Sequence, residues 1–149
     1  MNRRDERREK MAETIKVAVK DPGKKARLVE MENTYENLRK PIGDILDVIN
    51  MPGEEDIDLW FDDSFLIKRL PVNVVTLERG EFHCGTLVVT GYDAETGKTV
   101  GLTESQAKRA LGYLERNEAY GLDYQTALAY SEALSGERPE RPRTRSTSP

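Results

Sequence analysis

Gly91–Thr99 reads GYDAETGKT, and the way it is read decides the fold. As a phosphate-binding loop its Gly-Lys-Thr would join a strand to a helix cradling a nucleotide. As a turn it joins two neighbouring antiparallel strands. The phosphate loop needs four residues between its first Gly and the Gly-Lys-Ser/Thr, a count that curls successive N–H groups around the β-phosphate. Here five residues separate Gly91 from Gly97. Val100 and Gly101 then follow, and the next helix is capped only at Thr103, so no helix N-terminus faces a phosphate. The turn reading accounts for Gly97 as the residue that accepts positive φ between strands TLVVTGYD and KTVGL.

Outward from this hairpin the pattern is consistent. Downstream, LTESQAKRALGYLERN begins with a capping box, Thr103 and Gln106, and carries Ala107, Ala110, Leu111 and Leu114 on one stripe. A final helix, LDYQTALAYSEALSG, has Asp123 as N-cap and Gly136 as its stop. Upstream, FHCGTLVVTGYD reads as one long strand, preceded by the strand segments FLIKRL and VNVVTL on either side of Pro71. At the start, TIKVAVK alternates Ile15, Val17 and Val19 with other residues, DPGKK turns the chain at Pro22-Gly23, and ARLVEME returns. Thr34 or Asn33 caps a short helix YENLRKPIG, with Tyr35 and Leu38 on one face and Pro41 and Gly43 limiting its length. ILDVINM is a strand, PGEED a loop, and IDLWF a strand with Ile57, Leu59 and Phe61 on one side and Asp58, Trp60 and Asp62 on the other.

Strands that do not alternate with long helices make an α+β domain: a small, mainly antiparallel sheet with one short inserted helix and one or two C-terminal helices. The expected organisation is a charged mobile leader over 1–13, the α+β domain over 14–116, a helical extension over 117–136 and a disordered Arg/Pro/Ser-rich tail over 137–149. At 149 residues one core is the expectation, and no apolar run approaches the ~20 residues of a membrane span. The charged N-terminus is not expected to act as a secretory signal, and a single cysteine, Cys84, fits a reducing cytoplasm.

The net charge of −4 is unevenly spread. Asp44 to Asp63 holds eight carboxylates (Asp44, Asp47, Glu54, Glu55, Asp56, Asp58, Asp62 and Asp63) and no Lys or Arg. Such a block repels nucleic acid, leaving only weak contact by the Arg-rich tail. With Trp60 between Asp58 and Asp62 on the polar side of its strand, and Glu54, Glu55 and Asp56 just before, it reads either as a solvated hairpin or as an acidic face with an aromatic anchor for a basic protein partner. The order Asp-x-Asp-x-Asp-Gly of a calcium loop is missing. His83 and Cys84 are neighbours in a strand, so their side chains point apart and cannot work as nucleophile and base; a buried Cys84 beside a surface His83 is the expectation. They also lack the further ligands of a zinc site, and no catalytic set, metal or cofactor is expected. Lys20, Lys24, Lys25 and Arg27 cluster at the first turn, where Lys24, Lys25 and Arg27 are candidates for gripping a phosphate.

Several of these segments together resemble a family of small bacterial and phage proteins, domain of unknown function 3846. The resemblance lies in the first strand followed by DPGKKARLVEMENTYENLRKPIG, in LPVN (Leu70–Asn73), in CGTLVVTG (Cys84–Gly91) and in LTESQ (Leu102–Gln106), and spans roughly Ile15 to Glu115. Val74 stands where the pattern has an Arg, and the last helix and tail are additions. The resemblance implies an accessory product of phages, plasmids or integrated elements and carries no activity with it. The function expected is therefore a non-enzymatic accessory protein that binds a host or phage protein through its acidic face. The alternative is a small-ligand or nucleotide-binding domain in which the DPGKK turn supplies the cations.

Overall fold

Alternating apolar residues in TIKVAVK build the first strand, and the Pro-Gly turn after it forms as its chemistry requires. The computed structural model describes residues 13–43, 45–64, 68, 70–76, 81–119 and 124–134. Strand β1 (Thr14–Lys20) pairs antiparallel with β2 (Arg27–Glu32). Between them Gly23 takes φ 72°, and the Lys24 N–H donates to the Asp21 carbonyl at 3.1 Å. Helix α1 (Tyr35–Ile42) is capped by Thr34, whose hydroxyl accepts from the Asn37 N–H at 3.2 Å. It runs through Pro41 and stops at Gly43, whose φ of 144° suits glycine.

The chain continues through β3 (Leu46–Asn50), β4 (Ile57–Asp62), β5 (Val72–Thr76), β6 (Glu81–Cys84), β7 (Leu87–Asp93) and β8 (Lys98–Val100). Helices α2 (Glu104–Arg116) and α3 (Tyr124–Leu134) follow. The main sheet has the order β2-β1-β7-β4-β3, with β8 paired to the end of β7, and β5 and β6 form a separate ribbon. Every pairing between strands is antiparallel, so the α+β architecture is the observed one. Thr103 and Gln106 form the capping box of α2.

GYDAETGKT is a hairpin. Asp93 faces Lys98 in register, and Gly97 has φ 73° with its N–H bonded to the Asp93 carbonyl at 2.8 Å. Gly91, the first glycine of the apparent phosphate loop, serves close packing: a Cβ there would lie 2.7 Å from the Gly101 carbonyl oxygen. Gly101 in turn sits against β1, where a Cβ would come within 3.2 Å of the Lys16 nitrogen, and Leu102 N–H bonds the Lys16 carbonyl at 2.8 Å. The two glycines let the chain leaving β8 cross β1 and β7.

Three expectations are corrected. FHCGTLVVTGYD is not one strand, because Gly85 at φ 78° breaks it into β6 of the ribbon and β7 of the main sheet. A Cβ at Gly85 would stand 2.8 Å from Leu70 Cδ1, so a side chain is excluded on space as well as on φ. Within FLIKRL, the Lys68 N–H reaches back to the Ser64 carbonyl at 2.9 Å, which is helical rather than extended; residues 65–67 and 69 lie outside the described residues. The third concerns β4, all six of whose residues are buried. It is flanked by β7 and β3 and covered on both faces. Ile57, Leu59 and Phe61 join the core made with β5, β6, α2 and α3, while Trp60 packs with Leu38 and Ile42 of α1 and with Val17, Val48 and Val88. Asp58, Trp60 and Asp62 share a face as their alternation says, but α1 roofs it. Residues 1–12 of the expected leader and the whole of the expected tail, together with Asp44, Asp123 and Gly136, lie outside the described residues.

Each buried polar group on this face for which a bond is given has its partner. Trp60 Nε1–H donates to Thr90 Oγ1 at 2.8 Å. The Asp62 carboxylate accepts from the Ser64 N–H at 2.8 Å, the Ser64 hydroxyl at 2.6 Å and Lys68 Nζ at 2.7 Å. Burial alone would push this carboxyl up, but the bonds from Lys68 and Ser64 outweigh it and hold it below its ordinary 3.8.

Two outcomes follow for the roofed face. Trp60→Ala should lower stability by about 3–5 kcal/mol in urea denaturation, as for a core aromatic, where a surface anchor would cost almost nothing. Because Asp62 titrates lower folded than unfolded, its contribution is present above pH ~4 and lost as pH falls through the depressed value. Asp62→Asn should therefore cost stability at pH 7 and flatten the acid limb of a plot of urea midpoint against pH.

Candidate functional site

The most deeply buried large side chain with a charge is a lysine at the end of β1. Lys20 is 2% exposed, on the strand face shared with Ala18 of the main core. An ammonium held there is tolerable only if its protons are matched. Its Nζ donates to Asn73 Oδ1 at 2.6 Å and to Glu118 Oε2 at 3.0 Å, with the Asp21 carbonyl at 3.5 Å. Asn73, fully buried in β5, spends both amide protons on backbone carbonyls, those of Lys20 and Gly85, each at 2.7 Å. Glu118 follows α2 and bridges to Val74 in strand fashion, while Asn117 and Ala119 bond Val75 and Asn73 through the backbone at 2.8 and 3.0 Å. The Ala119 N–H also donates to Glu118 Oε2 at 2.7 Å. Glu118 Oε1 makes no hydrogen bond among the described residues.

Above this knot lies a cleft of about 540 Å³. Lys24 and Lys25 of the first turn form one wall, Glu115 and Glu118 the other, and Lys20 lies at its base. Beside the cleft, Asp21 accepts from the Thr86 hydroxyl at 2.7 Å and from Arg27 at 3.0 Å. The Thr86 bond, against partial burial and helped by Arg27 and Lys24, holds its carboxyl below the usual range.

Of the three cations expected to grip a phosphate, Lys24 and Lys25 line the cleft and Arg27 does not; it pairs with Asp21 instead. Among the described residues the acidic block does not form one face. Asp58 and Asp62 are 1% exposed and Trp60 7%, so the expected aromatic anchor is a core residue. Glu54 and Asp56 turn to Arg109 of α2, at 2.6 and 3.8 Å, and Asp56 also takes Gln106 Nε2 at 2.9 Å. Glu55 and Asp63 stay exposed. His83 is another correction: expected at the surface, it is 3% exposed and packs on Phe61 with ring centroids 4.7 Å apart, because the ribbon lies on the sheet. Cys84 is fully buried, and burial pushes its thiol up to about 12. Among the described residues no three His, Cys, Asp or Glu side chains are grouped to hold a metal ion, and no helix is long and apolar enough to cross a membrane.

Sequence reasoning named Lys20 only as one of several turn cations and Asn73 only as the end of LPVN, and it passed over Glu118. A signal was present in part, since Lys20 continues the strand period of Ala18 and so belongs to an inward face. Nothing local marks Glu118, which is 98 residues away along the chain.

A family described as a domain of unknown function, number 3846, has a model that matches residues 15–116, and the chain belongs to that family. Neither the curated proteins nor the solved structures yield a match.

If the knot carries the charge as described, Lys20→Met should cost about 3 kcal/mol or more in urea, because it strands Asn73 Oδ1 and the Glu118 carboxylate. Glu118→Gln keeps an acceptor but leaves the Lys20 ammonium without its counter-charge, and should cost less than Lys20→Met, about 1–3 kcal/mol. Cys84 should resist a thiol reagent at pH 8 in the folded protein and react at once in denaturant, a difference read directly from the absorbance of the released label.

Proposed function

We propose that the chain is a non-catalytic binding domain that takes a small organic anion in the cleft between the Asp21–Lys25 turn and the end of α2. The observation that carries this is the pair Lys24 and Lys25, exposed at the cleft wall, whose side chains are joined to no hydrogen bond or ion pair among the described residues. A cleft of about 540 Å³ falls within the range of small-molecule sites and exceeds what a lone ion fills. Protein binding through an acidic face loses its support, because its anchor Trp60 lies under α1 and Glu54 and Asp56 share the guanidinium of Arg109. The setting we propose is the one the family resemblance implies, an accessory product of a phage or other mobile element acting in the bacterial cytoplasm.

The reading makes a quantitative prediction. At millimolar concentration, a phosphate-bearing ligand present at one hundred times its Kd should stabilise the fold by about 2.7 kcal/mol, seen as a rise in Tm. Lys24→Ala with Lys25→Ala, both surface changes, should leave the unliganded Tm unchanged and abolish that rise. No shift with inorganic phosphate, sugar phosphates, amino-acid phosphates or nucleotides, or a shift that survives the double substitution, would overturn the proposal.

A further inference from the structure

The two walls of the cleft carry opposite charge, and nothing on either wall neutralises the other. The side chains of Lys24, Lys25 and Glu115 enter no hydrogen bond or ion pair among the described residues. Glu118 is different: its Oε2 is fully engaged by Lys20 and the Ala119 N–H, which fixes the carboxylate and leaves Oε1 as an acceptor at the cleft wall. Lys20 cannot serve the ligand as well, since its ammonium already has Asn73, Glu118 and a distant third acceptor. A ligand that were only an anion would satisfy one wall and lie against two carboxylates on the other. The desolvation of Glu118 would then go unmatched.

Resting on the anion-binding reading above, we propose that the cleft takes a dipolar ligand, with a phosphate or carboxylate held by Lys24 and Lys25 and an N–H donor or ammonium group held by Glu118 Oε1 and Glu115. The chemistry fits two sources, a nucleobase carrying an amino group and a primary amine. Charged acceptors make the stronger hydrogen bonds to such donors, and a carboxylate fixed beforehand loses little entropy in making them. Selection comes from the Glu wall, because Lys24 and Lys25 offer the same charge to any anion.

Calorimetric titration of the full chain with three phosphates tests this: ribose 5-phosphate, which has the anion alone, AMP, which adds a base, and O-phosphoethanolamine, which carries an ammonium. The expected result is that AMP or O-phosphoethanolamine binds at least tenfold tighter than ribose 5-phosphate, and the better of the two identifies the source. Glu118→Gln should reduce that advantage at least fivefold without weakening ribose 5-phosphate. Glu115→Gln, an exposed change that leaves the knot intact, should reduce it in the same direction should the first variant unfold. If ribose 5-phosphate binds as tightly as both others, the dipolar inference falls while the anion site stands. Binding by none of the three removes both.

Discussion

The buried ammonium of Lys20 is the constraint on which the rest of the fold turns. A charge at 2% exposure is costly unless its protons meet acceptors, and the acceptors come from two separate parts of the chain, Asn73 in β5 and Glu118 after α2. Meeting that demand fixes where the β5–β6 ribbon crosses the main sheet. It also fixes where the chain leaving α2 must return, since Asn117 and Ala119 are bonded to the same stretch of β5. Asn73 in turn needs the Lys20 and Gly85 carbonyls, so the break between ribbon and sheet is tied into the same knot. The cleft lies where this closed set of bonds meets the turn after β1.

Around the knot, glycine decides where strands end and where they cross. Gly85 separates β6 from β7, and the Gly91–Gly101 contact lets β8 leave the sheet over β1. Both are places where a side chain would meet atoms at less than a van der Waals separation. With β7 cut short at its start and crossed near its end, β4 is drawn between β7 and β3, and α1 covers the face that its sequence alone marks as polar. The acids there are accommodated one by one, Asp62 by Ser64 and Lys68, rather than as a solvent-facing field.

How far the sequence could be read follows from the range of each interaction. The GYDAETGKT hairpin, the Pro22-Gly23 turn, the Thr34 cap and the Thr103–Gln106 capping box are all settled within a few residues, and each stands in the structure as its residues indicate. Alternation in IDLWFD assigned faces correctly but said nothing of what lies over them, because a strand in mid-sheet is covered by elements distant in sequence. His83 was misplaced for the same reason. Half of the cleft was legible, since Lys24 and Lys25 are adjacent in a polar turn. The other half depends on Glu118, which joins Lys20 only when the chain has folded.

That asymmetry extends to how the two walls would work. Lys24 and Lys25 are exposed on flexible stems, so their attraction would act at a distance, reach any anion and be screened by salt beyond a Debye length of ~8 Å. Glu118 is held by a backbone N–H and a buried ammonium, so its free oxygen has a defined position before anything binds. In the proposed site attraction and discrimination would thereby fall to different walls. The buried pair supplies the rigid one, and a lysine that stabilises the junction of sheet and ribbon also orients the carboxylate that would choose the ligand.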